Sequence, residues 1–181
     1  MKIINDEPHA STFVFIKTRG SWSPEDALAY LGIKEYQKDQ SFDDIGGRLW
    51  FYDDGEWMHI LDGWDYRLLN NQLPKSLIEL SRKFDVLMFY VGDSDMSFSY
   101  AIYEEGKCKR NLKVESPAYT DKVVEQNEGK MMSCEEGILS EDGKILISEA
   151  ENYIEVLLDM AFKLGVDGKY TEDNLQVYRL V

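Results

Sequence analysis

Read for its alternation of apolar and polar positions, the chain opens on a strand. Residues 12–18, TFVFIKT, are β-branched and aromatic. A helix follows, with Ser23 at its N-cap, Pro24 at its first position, and Glu25 and Asp26 near its positive end. Ala27, Leu28 and Leu31 form its apolar face, and Gly32 supplies a left-handed exit. Residues 34–47 are polar and predict a loop. Two strand-like runs, residues 48–52 and 56–61, flank Asp-Asp-Gly and predict a hairpin. A helix is expected over residues 74–84, where Leu77, Leu80, Ser81 and Phe84 fall at helical spacing. VLMFYV, residues 86–91, is a continuous apolar run and predicts a strand buried on both faces.

The register of FSYAIYEEGKCKRNLKV, residues 98–114, can be argued from its faces. A two-residue turn at Glu105-Gly106 would mix Phe98, Tyr100 and Ile102 with Lys107, Lys109 and Lys113. A three-residue loop, Glu104-Glu105-Gly106, gathers Phe98, Tyr100, Ile102, Cys108, Arg110, Leu112 and Val114 on one face. The second register is expected. Residues 116–136 are polar, with one short edge strand expected near residues 123–125. Residues 138–147 repeat the hairpin pattern, and Ser148 and Glu151 read as a capping box that opens a helix running to Leu164. Residues 175–181 form a last strand. Hairpins and meanders with about three helices between them predict an α+β fold with a mostly antiparallel sheet, and the 181 residues suit one domain.

Composition sharpens this picture. Acidic residues number 34 against 20 basic ones, a net charge of −14. Such a surface repels nucleic acid and anionic lipid and favours a basic partner. Two cysteines, no apolar leader and no long apolar run lead to the expectation of a cytoplasmic chain with free thiols, not bound to a membrane, and monomeric. No cofactor is expected. The two histidines are isolated, so no metal site is expected either, and no phosphate-binding loop or nucleophile elbow is present. Asp93-Ser94-Asp95 lacks the rest of a calcium loop and reads as a tight turn.

Candidate sites come from three places. WFYDDGEWMHILDGWDY, residues 50–66, carries three of the four tryptophans and one histidine. Its aromatics either pack as core or present a platform to a partner, with an exposed edge at Asp62-Gly63-Trp64-Asp65 and with Trp57 as a further anchor. Arg110, beside Tyr100 on an apolar face, must meet a carboxylate, stack on a ring, or capture an anionic ligand. His59 is either a core histidine or part of a pocket with Arg110, Tyr100, Asp93 and Asp95. No catalytic residue is assigned.

The segments HILDGWDYRLLNN and IELSRKFDVLMFYVGDSDMSFSYAIYEEGKCKR share a W-x-Y, L-S-x-x-F and strand-Gly-Lys-x-x-R layout. Over residues 59–110 the chain resembles small acidic bacterial proteins of the toxin-immunity type. That resemblance implies a protein-binding module that occludes a basic partner. The alternative from the residues themselves is a small-molecule-binding domain or enzyme built around Arg110, Tyr100 and His59.

Overall fold

The computed structural model describes residues 10–39, 47–63, 73–92, 97–115, 122–140, 142, 144–147, 153–170 and 173–181. Among these residues nine strands form one antiparallel sheet: β1 Ala10–Ile16, β2 Tyr36–Asp39, β3 Arg48–Asp53, β4 Met58–Gly63, β5 Val86–Val91, β6 Phe98–Glu104, β7 Lys107–Glu115, β8 Val123–Gly129 and β9 Gln176–Leu180. Their order across the sheet is β2-β9-β3-β4-β1-β5-β6-β7-β8. With helices α1 Pro24–Tyr30, α2 Leu73–Leu80 and α3 Tyr153–Lys163, the fold is α+β.

Each face of the sheet buries its own core. Val14, Ile16, Leu49, Phe51, Met58 and Ile60 pack with Ala27 and Leu28 of α1 and Leu77 of α2. Phe13, Phe15, Trp50, Trp57, Leu61, Tyr100 and Leu112 pack on the other face with Tyr153, Leu157 and Met160 of α3. Apolar residues therefore occupy both parities of β3 and β4, because both faces are covered. The aromatic stretch is core as far as it is described: Trp50 is 6% exposed and Trp57 5%.

The local signals account for most elements. Ser23 Oγ accepts a hydrogen bond from the Asp26 N–H at 3.2 Å, and Asp26 returns one from the Ser23 N–H at 2.8 Å, so α1 begins on a complete capping box. Strand β2 lies where a loop was expected. YQKD has no apolar alternation of its own and is held by pairing with β9. Helix α2 ends at Leu80, short of the expected residue 84, and the capping pair Ser148 and Glu151 lies outside the described residues.

The β6–β7 hairpin corrects the expected register in an instructive way. Glu104 pairs with Lys107, so the turn is Glu105-Gly106, and both residues have positive φ, 52° and 73°. That is the two-residue turn whose twist suits a hairpin. A bulge then opens at Lys109, since Tyr103 pairs with Cys108 while Ile102 pairs with Arg110. The extra residue restores the alignment of Phe98, Tyr100 and Ile102 with Val114, Leu112 and Arg110. Cys108 stays on the opposite face with Tyr103, contrary to the three-residue-loop expectation.

Candidate protein-binding surface

Arg110 is buried at 1% exposure, and its partner is Glu135, itself fully buried in a 3₁₀ turn, Ser133–Glu135. The guanidinium donates from Nε to Glu135 Oε1 at 2.9 Å and Oε2 at 3.1 Å, and from Nη2 to Oε1 at 2.8 Å. Nη1 donates to Asn127 Oδ1 at 2.7 Å and to the Glu128 carbonyl at 2.8 Å. The Tyr100 hydroxyl donates to the same carboxylate, and the Arg110 guanidinium lies 5.9 Å from the Tyr100 ring centroid. Burial pushes Glu135 up and Arg110 down from their ordinary values, and their mutual contact opposes both displacements. Each of the three guanidinium nitrogens donates within the chain. The network joins the sheet to the segment after β8.

His59 sits in a second buried network. Its Nε2 lies 3.1 Å from Asp54 Oδ2 and its Nδ1 lies 3.0 Å from the Tyr170 hydroxyl. Asp54 also accepts from the backbone N–H groups of Glu56 at 2.8 Å, Trp57 at 2.6 Å and Asp167 at 3.2 Å. Burial alone would raise this carboxyl, but the bonds from His59 and from these N–H groups outweigh it and hold Asp54 well below the usual carboxylate range. An ionised Asp54 favours a proton on Nε2, and in that neutral tautomer Nδ1 accepts from Tyr170. Burial, with the charge of Asp54 next, pushes the Tyr170 phenol far above its ordinary value, so it stays protonated. The arrangement binds the β3–β4 turn to the loop after α3.

The two networks do not meet. His59, Phe15, Leu87, Ile102 and Arg110 are partners in successive strand pairs, which puts Arg110 four strands from His59. At about 4.8 Å per strand that is about 19 Å. Arg110, Tyr100 and His59 thus form no common pocket, while Asp93 and Asp95 lie outside the described residues. The expected partner-binding residues are relocated as well. Trp57 is core, and Asp62 is fully buried on β4 between Thr12 and Leu49. The exposed edge expected at Asp62-Gly63-Trp64-Asp65 does not begin at Asp62; Trp64 and Asp65 lie outside the described residues.

Accessible features gather instead at the β8 margin. Strand β8 is the last in the sheet, paired with β7 alone among the described strands. Glu125 and Glu128 are exposed, and the first forms a surface pair with Lys113 at 2.7 Å. Lys113 also meets Glu115 at 2.7 Å; Glu115 and Glu125 together hold its ammonium up to about 12. Two residues beyond β8, the chain enters an open groove of about 560 Å³ lined by Met131, Met132, Ser133, Glu136, Leu139 and Leu146, among others. Leu146 is 53% exposed there. Glu135 anchors this segment from below: its carboxylate accepts from the Met132 N–H at 2.5 Å. The Arg110 network therefore sets the groove against the sheet margin.

The edge strand expected near residues 123–125 is the start of β8, which runs on to Gly129. The polar composition of residues 126–136 hid the rest of this region, because an edge strand with charged side chains reads as a polar segment. Among the described residues no group of three or more metal-ligating side chains occurs, and no helix is long and apolar enough to cross a membrane. Comparison with protein-family models, with curated proteins and with solved structures finds no match.

Proposed function

We propose that this chain is a protein-binding module of the immunity or antitoxin type, which occludes a basic partner with its acidic surface. The observation that carries the reading is the β8 margin, where exposed Glu125 and Glu128 lead into a methionine-lined groove. Methionine is unbranched and polarisable, so such a lining adapts to a partner's apolar side chain. The net charge of −14 supplies long-range attraction for a basic protein and raises its encounter rate. The buried networks around Arg110 and His59 support the scaffold.

The test is affinity capture from the host lysate at low and at moderate salt, with the native chain beside a Glu125→Lys, Glu128→Lys variant. A basic protein retained at low salt by the native chain, and released by added salt or by the charge reversal, supports the reading. Retention indifferent to both salt and charge reversal, or no retained protein under either condition, counts against it.

A further inference from the structure

We infer that the partner is recognised through an extended segment that adds to the open edge of β8 along residues 126–129, with basic side chains beside Glu128 and an apolar side chain in the methionine-lined groove. This rests on the reading above and specifies its mode. Four observations lead to it. First, among the described strands β8 has its ladder to β7 on one side only, and an edge strand offers a row of main-chain donors and acceptors to an incoming chain. Second, the pairing is irregular between Lys113 and Val114, where Gln126 faces Lys113 but Val124 faces Val114, so Glu125 is the bulged residue. The regular part of the edge is thus the half nearest the groove.

Third, the two faces of that half differ. Gln126 and Glu128 stand opposite Lys113 and Asn111 on the polar face, whereas Asn127 and Gly129 stand opposite Leu112 and Arg110 on the face shared with Tyr100 and the core beneath α3. A strand laid beside β8 would alternate in the same way, one parity toward Glu128 and the other toward the groove side. Fourth, charge selects the occupant. Antiparallel pairing of two copies through β8 would bring Glu125 and Glu128 of one near those of the other, and like charges across strands destabilise. A basic strand gains from the same residues. The opposite margin, β2, is only four residues long, carries exposed Lys38 and has Asp39 held by Arg48 at 2.9 Å, so it repels the basic segment that β8 attracts.

The probe is a synthetic octapeptide of alternating lysine and leucine, compared with two isomers N-methylated on alternate backbone amides, one for each parity. In strand addition only one parity of N–H groups points at the edge. The expected result is binding of the parent peptide, at least about tenfold loss for one isomer with the other near the parent, and slowed exchange of the amides at residues 126–129. Charge reversal at Glu128 should weaken the parent peptide by a similar factor without changing the fold. Equal binding of both isomers, no binding of the parent, or unchanged exchange at β8 overturns strand addition. If a basic protein is still captured in a salt- and Glu128-dependent way, the acidic-surface reading survives that result; if neither peptide nor protein is held, both fail.

Discussion

Replacing Arg110 with methionine removes five short contacts: three to Glu135, which hold the segment after β8 against the sheet, and one each to Asn127 and the Glu128 carbonyl within β8. It leaves the Glu135 carboxylate buried with only the Tyr100 hydroxyl and the Met132 N–H. Breaking a buried pair from one side costs about 3–5 kcal/mol, a large part of the about 5–15 kcal/mol that holds a domain together. Glu135→Leu should cost a similar amount, because it strands a buried guanidinium. Independent effects would sum to about 6–10 kcal/mol in the double variant. Since an apolar pair can replace a buried ion pair at little cost, the double variant should instead fall short of that sum by at least about 3 kcal/mol. Denaturant unfolding followed by tryptophan fluorescence measures all four corners of the cycle. The pH dependence gives a second check. Burial raises Glu135, and the substitution removes the guanidinium that opposes this rise. A folded-state value above the unfolded one means the variant loses stability as pH rises out of the carboxylate range, so its deficit should be smallest in acid and largest near neutrality. Additive single effects, or a deficit that grows in acid, would refute this account of the pair.

Three further outcomes follow from the geometry. Gly129→Ala should cost about 1–3 kcal/mol locally, because φ is +84° and an added Cβ would sit 2.1 Å from the Lys109 carbonyl oxygen; hydrogen exchange should quicken in β8 and leave β1 and β5 unchanged. Tyr170→Phe removes the hydroxyl bonded to His59 and should lower stability by about 1–2 kcal/mol in denaturant unfolding. Asp54 is held below its ordinary value, so its contribution is full above the usual carboxylate range and is lost as pH falls through the folded-state value. Asp54→Asn should therefore be less stable at neutral pH and flatter on the acid limb, as read from unfolding midpoints across that range.

Short-range chemistry was legible wherever a residue's role is decided by its neighbours in sequence. Ser23, Pro24 and Asp26 specify the start of α1, and the double apolar parity of residues 48–61 specifies a hairpin covered on both sides. The alignment of Tyr100 with Leu112 was also legible from the faces, but its cause was not. Either a longer loop or a bulge restores the alternation, and only the pairing of Tyr103 with Cys108 separates them. Long-range partners left no trace. Arg110 demanded a carboxylate, yet Glu135 lies 25 residues away in a stretch without apolar periodicity. His59 is grouped by sequence with Arg110, Tyr100, Asp93 and Asp95, whereas its partners are Asp54, five residues back in the turn, and Tyr170, 111 residues on. Strand β2 and the far half of β8, beyond the edge strand expected near residues 123–125, were hard to read for one reason. An edge strand is held by its neighbour and faces water, so its sequence lacks the pattern that marks an interior strand.

The most direct test of the central claim is the association rate of a captured basic partner with the native chain and with the Glu125→Lys, Glu128→Lys variant, across a range of salt. Both residues are exposed and the pair between Glu125 and Lys113 lies at the surface, so the substitutions should leave the fold intact. An acidic docking margin at β8 predicts a rate for the native chain that falls steeply with salt, and a slower rate for the variant that responds much less. Equal rates for the two proteins at every salt concentration would place the docking surface elsewhere on the molecule.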